Sequence, residues 1–232
     1  MASAQPRRGY RVIVNYQRNR EAAEALVESI ITLGGEALAV QADVADEAQV
    51  RRLFANIDER LGRLDVLVNN AGMLEQQMRL ERMSLERWQR VFATNVYGSF
   101  LCSREAIARM STRQGGRGGA IINVSSIAAR LGAPGEYIDY AAAKGAVDSM
   151  TVGLAKELAD DGIRVNAVRP GVIDTEIHAS GGEPQRVARV AASIPLGRGG
   201  RAEEVAEAII WLAGEQALSL IHISEPTRQE AI

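Results

Sequence analysis

Residues 11–41 read RVIVNYQRNREAAEALVESIITLGGEALAVQ, and this stretch decides the fold class. Arg11-Val-Ile-Val-Asn15 is a β-branched run with no room for a helical period, as expected of a buried strand. Glu21 to Leu33 is an Ala- and Glu-rich helix stopped by Gly34-Gly35, and Glu36 to Gln41 is a second strand. Strand, helix and strand in so short a span form a parallel βαβ unit.

The alternation continues outward. Asp46 is placed to cap a helix through about Leu61, which Gly62 closes. Leu64 to Asn69 is the next strand, and Ser84 caps a long helix to about Thr112. A glycine-rich connection, Gln114 to Gly119, leads to the strand Ile121 to Val124. Tyr140 to Ala159 is helix, Arg164 to Val168 strand, and Glu203 to Leu212 the last regular helix. The pattern predicts an α/β fold with a doubly wound parallel sheet of Rossmann type, in a single domain over residues 1–217.

Bulk properties agree. The chain has 232 residues, is 47% hydrophobic and carries a formal net charge of −2. That size suits one α/β domain, and the charge offers no footprint for nucleic acid or an anionic membrane. No apolar run approaches the roughly 20 residues that cross a bilayer, and Met1 to Arg8 lacks the apolar centre of a signal peptide. A cytoplasmic location is expected. Cys102 stands alone, so no internal disulfide or cysteine-based metal cluster is possible, and no metal site is expected. Cys102, Trp88 and Trp211 read as packing residues, His178 as part of a polar loop, and Arg117 with its glycines as a solvated connection.

The chemistry-bearing residues gather at strand ends. Tyr140 and Lys144, four apart, share a helical face. An ammonium beside a phenol favours the phenolate, so the tyrosine is expected to titrate closer to the working pH, as a general acid/base requires. Ser125-Ser126 closes the strand Ile121 to Val124, at the sheet edge where open α/β folds bind ligands. Asn69-Asn70-Ala71-Gly72 ends another strand in a turn of small residues, and Pro170-Gly171 ends a third.

These segments, with Thr94-Asn95-Val96-Tyr97-Gly98, Asn123-Val124-Ser125-Ser126 and Arg169-Pro170-Gly171, resemble the short-chain dehydrogenase/reductase family over about Gly9 to Ala217. Within it, the chain looks most like the glucose 1-dehydrogenase-like and 3-oxoacyl-carrier-protein reductase-like enzymes. The resemblance implies an NAD(P)-dependent oxidoreductase moving a hydride between the cofactor and a carbonyl or secondary alcohol. It implies Tyr140 as the acid/base and Ser126 as the group that bonds the reacting oxygen. Lys144 would lower the tyrosine pKa and bind the nicotinamide ribose, and Asn95 would hold a relay water. Asn69, Ala71 and Gly72 would line the adenosine-ribose side, with Asp43 and Val44 at the adenine. Pro170, Gly171, Ile173 and Thr175 would hold the carboxamide. Asn95 satisfying backbone groups, and Thr175 as a simple helix cap, are the plainer alternatives.

Cofactor choice rests on Asn15-Tyr16-Gln17-Arg18 at the end of the first strand. An acidic residue there would select NAD. None is present before Glu21, and Arg18, beside Tyr16, can pair with a 2′-phosphate. NADP is therefore expected, with NAD possible and a solvated Arg18 the alternative. The expected partners are a small carbonyl or alcohol substrate and further copies of the chain, as dimer or tetramer. Substrate identity is open.

The resemblance also implies truncation. Family members open with a strand, a Thr-Gly-x-x-x-Gly-x-Gly turn and a helix, whereas this sequence holds no Gly-x-x-x-Gly-x-Gly. The lost strand belongs between those ending at Asn15 and Asn69, so a gap or direct pairing is expected there. After Ala217 the pattern fails where a last strand belongs. Residues 218–232 look like a translated sequencing adapter, although the alternating run Leu218 to Ile223 can imitate the lost strand. An inactive fragment and a dinucleotide sensor without turnover are the competing functions; retention of Ser126, Tyr140, Lys144 and Asn95 speaks against the sensor.

Overall fold

The structure is a computed structural model and describes residues 9–217 and 222–224. Its elements alternate as expected. β1 (Arg11–Tyr16), α1 (Arg20–Thr32) and β2 (Glu36–Gln41) form the first unit, followed by α2 (Glu47–Leu61) and β3 (Val66–Asn69). The long helix of the sequence reading is α3 (Leu85–Phe92), a π-helical turn (Ala93–Tyr97) and α4 (Gly98–Met110) in unbroken succession. β4 (Gly119–Val124), a short α5 (Ala128–Leu131), α6 (Ile138–Glu157) and β5 (Ile163–Arg169) follow. Short helices α7 (Ile177–Ser180) and α8 (Arg186–Val190), then α9 (Ala202–Ala213) and β6 (His222–Ser224), complete the described chain.

Local chemistry sets these boundaries. Asp46 Oδ1 accepts from Gln49 N at 3.0 Å to open α2, and Gly62 closes it in the left-handed region at φ 71°, a conformation glycine adopts without a Cβ penalty. Within α2 the buried residues Val50, Leu53, Phe54 and Ile57 keep the spacing of one helical face. The connection before β4 is less solvated than its composition suggests. A Cβ on Gly118, whose φ is +78°, would lie 2.4 Å from Gly162 O, so this turn packs backbone on backbone.

All strand pairings are parallel, in two sheets of order β1-β2 and β3-β4-β5-β6. β1 and β3 thus have no common ladder, which is the gap expected between the strands ending at Asn15 and Asn69. One core nevertheless serves both sheets. Ile13 and Val40 pack on the cluster of Val50, Phe54, Met110 and Ile121, as does Leu67. The other face of β4 presents Ala120, Ile122 and Val124 to Val205, Ile209 and Leu212 of α9 or its neighbours. The period-two alternation of β4 therefore divides its side chains between two cores. β6 lies parallel to β5 with His222 opposite Ala167, the position anticipated for the run Leu218 to Ile223. Residues 218–221 of that run, and 225–232, lie outside the described residues. Among the described residues no helix is long and apolar enough to cross a membrane.

Candidate active site

A cavity of about 2360 Å³ opens between the sheets and along the carboxyl ends of β3, β4 and β5. Asn69, Ala71, Gly72, Ser126, Tyr140, Lys144, Pro170, Gly171, Ile173 and Thr175 all line it. The scaffold beneath is a buried amide chain. Asn69 Nδ2 donates to Asn123 Oδ1 at 2.8 Å and to Ser103 Oγ at 3.0 Å, and Asn123 Nδ2 donates to Thr151 Oγ1 at 2.9 Å. This chain ties β3, β4, α4 and α6 together, and it commits the Asn69 amide to structure while its backbone borders the cavity.

Alternation along the strand end separates the two serines. Ser125 is buried, and its hydroxyl donates to Lys144 O at 3.3 Å. Ser126 faces the cavity, accepts from Ala128 N at 3.1 Å and reaches the Tyr140 phenol. α6 begins at Ile138, two residues before the sequence reading, so Tyr140 stands in its first turn.

The expected fall in the tyrosine pKa is not what the structure gives. Burial pushes the Tyr140 phenol up to about 12, and the Ser126 hydroxyl opposes this only partly. Spacing brings Lys144 close but does not aim it. Its Nζ sits 5.5 Å from the Tyr140 ring centroid and donates to Val124 O at 2.7 Å. Burial also brings Lys144 itself down to about 8, with Asp148 pulling the other way. Tyr140 is accordingly a protonated acid at neutral pH.

A stability prediction follows from Lys144. Its folded pKa lies below the ordinary lysine value of 10.5, so between pH 8 and 10.5 the unfolded chain holds a proton that the folded chain has shed. Stability should rise with pH through that window, and below it the folded state bears the full cost of the buried ammonium. At about 1.4 kcal/mol per unit, that cost is about 3 kcal/mol before the Val124 bond is credited. Lys144→Met should therefore melt higher than wild type at pH 7, with the difference shrinking toward pH 10. A variant that melts lower at pH 7 would contradict the assignment.

Asn95 is fully buried in the π-helical turn, a distortion that recurs at functional sites. Its Nδ2 donates to Val91 O at 2.9 Å and Met73 O at 3.1 Å, and its Oδ1 accepts from Met73 N at 3.3 Å. The side chain thus holds the backbone after Gly72. A Cβ on Gly72 would sit 3.0 Å from Asn95 Oδ1 and 3.5 Å from Lys144 Nζ, so only glycine leaves this corner open. Thr175 does not cap α7, whose N-cap is Glu176.

The adenine-side residues are less concentrated. Val44 is buried on the cavity wall against Gly98. Asp43 accepts from Gln17 Nε2 at 2.6 Å and Ala45 N at 2.9 Å. Tyr16, Arg18 and Asp43 are not among the lining residues, and Arg18 is exposed, with no ion-pair partner among the described residues.

Some residues near the site had no signal in the sequence. His178, read as a loop residue, is buried with Nε2 2.8 Å from Ile173 O. Tyr137 Oη donates to Gly181 O at 3.0 Å, and Arg186 Nη2 reaches Glu136 Oε2 at 2.6 Å. The segment after Glu176 is thereby fastened to the approach of α6. Among the described residues no three His, Cys, Asp or Glu side chains gather as metal ligands.

The lining fits the nicotinamide half of a dinucleotide: a glycine corner, a lysine, a phenol and the Pro170–Thr175 wall around one cavity. It fits the pyrophosphate poorly. The glycine-rich lead into α9, Gly197 to Gly200, does not line the cavity, and its first helix N–H groups are met by the Glu204 carboxylate, which accepts from Arg201 N at 2.7 Å.

A family model described as Enoyl-(Acyl carrier protein) reductase matches residues 1–221. An uncharacterized oxidoreductase, YgfF, of Escherichia coli (strain K12) is 57% identical over 209 residues, covering 90% of this chain and 85% of that protein. A 3-oxoacyl-[acyl-carrier-protein] reductase of Synechocystis sp. is 43% identical over 214 residues, covering 92% and 83%. The crystal structure of a dehydrogenase/reductase from Sinorhizobium meliloti 1021 superposes with a TM-score of 0.86 at 30% identity, covering 96% of this chain and 85% of the other.

Proposed function

The chain belongs to the short-chain dehydrogenase/reductase family of oxidoreductases, and from that premise we propose that it reduces a ketone or aldehyde to an alcohol with NADPH. The observation that carries this reading is the meeting of Ser126, Tyr140, Lys144 and the open Gly72 corner on one cavity. A bound nicotinamide supplies the hydride to the carbonyl carbon. The chain's own residues handle the oxygen. Ser126 donates a hydrogen bond to it, and Tyr140 gives it a proton as the alcohol forms. The phenolate left behind is stabilised by the ammonium above the ring, which lowers the barrier most where charge develops. Lys144, Gly171, Ile173 and Thr175 would hold the nicotinamide end, and Asn95 the backbone beside it.

Cofactor preference rests on the exposed Arg18 and on the absence of a carboxylate between Asn15 and Arg20. NADPH should give a higher kcat/KM than NADH, and Arg18→Ala should narrow the ratio by roughly tenfold, the worth of one charge-assisted contact to phosphate. Equal use of both cofactors by wild type would reject that role. The test of the function is NADPH oxidation with a panel of ketones and a 3-oxoacyl thioester, with the alcohol product identified by mass. No alcohol from any of them would overturn it.

The split sheet favours a second reading: a chain that keeps its catalytic face but holds the dinucleotide weakly. Homo-oligomerisation is supported by the exposed aromatic residues Tyr97 and Phe100 at the start of α4. Solution scattering would measure it.

A further inference from the structure

Arg87 and Asp139 form an ion pair that is 3% and 1% exposed at the side chains. Arg87 Nε donates to Asp139 Oδ2 at 2.6 Å and Nη2 to Oδ1 at 3.2 Å. Nη1 donates to Gln76 O. Three elements therefore meet on one guanidinium: α3, the first turn of α6, and the segment after Gly72.

Asp139 immediately precedes Tyr140. Its Oδ1 also accepts from Tyr140 N at 2.9 Å. The first N–H groups of a helix have no intrahelical acceptor, so the carboxylate held by Arg87 supplies the acceptor for the tyrosine's own backbone. A shift of the carboxylate moves that backbone and, through it, the phenol.

Stability does not explain the pair. Val91 of α3 and Ala143 of α6, each one turn further along its helix, already pack together with Val96 and Tyr140. An apolar pair would extend that seam, and replacing a buried ion pair by matched apolar residues is often neutral or stabilising. A bidentate pair instead fixes distance and angle, which apolar contacts leave free to slide.

We propose that Arg87 and Asp139 are positioning residues that set the first turn of α6 so that the Tyr140 hydroxyl meets the carbonyl oxygen beside Ser126. This rests on Tyr140 being the proton donor. The pair acts on turnover rather than on substrate affinity, because neither side chain lines the cavity.

The test compares the whole chain with two double variants, Arg87→Met/Asp139→Leu and Arg87→Gln/Asp139→Asn, in NADPH-dependent reduction of the best ketone of the panel. Thermal melting is followed in parallel. The Met/Leu variant should melt close to wild type, keep its KM within about twofold and lose kcat by roughly a hundredfold, the penalty of a small misplacement. The Gln/Asn variant, which keeps an amide oxygen for Tyr140 N, should recover part of that loss. A folded variant of either kind with kcat within twofold of wild type would overturn the positioning role while leaving the enzyme reading intact. If Met/Leu fails to fold, the Gln/Asn variant decides by the same criterion. Absence of turnover in wild type would instead overturn the functional reading, and this inference with it.

Discussion

Tyr140→Phe should lower carbonyl reduction at saturating NADPH by about a thousandfold while leaving the melting temperature close to wild type. The phenol is the proton donor, and a positioned general acid contributes roughly 10²–10⁴-fold. The middle of that range is expected, because Ser126 aims the phenol from the adjoining strand end while burial, which raises its pKa to about 12, keeps it protonated but makes it a weaker acid. The same elevation sets the pH dependence. Reduction should be insensitive to pH from 5 to 7, where Tyr140 keeps its proton and Lys144 its charge, and should fall as Lys144 loses its proton near pH 8, whereas the reverse oxidation needs the phenolate and should rise with pH. Steady-state rates in both directions check both statements. Turnover in Tyr140→Phe equal to wild type would remove Tyr140 from the mechanism.

Asp139→Leu alone should be among the most destabilising single changes in the chain. It strips the guanidinium of Arg87 of its carboxylate in a region where that group is 3% exposed. An uncompensated buried charge costs about 3–5 kcal/mol. Tyr140 N loses its acceptor as well, adding about 1 kcal/mol. The variant should unfold at markedly lower urea than wild type, and adding Arg87→Met should restore most of the loss. This non-additivity separates an electrostatic cost from a cavity, because a cavity at position 139 would not be repaired by a change at 87. A single variant as stable as wild type would show that Arg87 finds another partner.

How much of this was legible beforehand depended on whether the signal was local. The strands β1, β4 and β5 were visible because each is a short run rich in β-branched residues, and β2 because it follows the helix stop Gly34-Gly35 directly. The caps Asp46 and Gly62 were visible because capping chemistry is written in single residues. The gap in the sheet followed from the family resemblance, which places a further strand between those ending at Asn15 and Asn69. The π-helical turn at Asn95 left no trace, since the apolar pattern from Ser84 to Thr112 runs through it unbroken. The Tyr140–Lys144 spacing placed both groups on one face, but it carried no information on where Nζ points. Once Lys144 donates to Val124 O, burial dominates and the phenol shifts upward instead of downward. Arg87 was indistinguishable from Arg82 and Arg90 around it, because its partner lies 52 residues away. Asn69 lines the cavity, yet its amide serves the Asn123 and Ser103 network, a tertiary fact that no strand pattern encodes.

Calorimetric titration of the whole chain with NADPH tests the account where its two halves meet. The nicotinamide wall and Lys144 are present, while the sequence contains no Gly-x-x-x-Gly-x-Gly turn to bring backbone N–H groups and a helix N-terminus to the pyrophosphate. The account predicts a dissociation constant of roughly 100 μM or weaker, equivalent to about 5 kcal/mol of binding, and a further tenfold loss in Lys144→Met. Low-micromolar binding that is indifferent to Lys144→Met would contradict it.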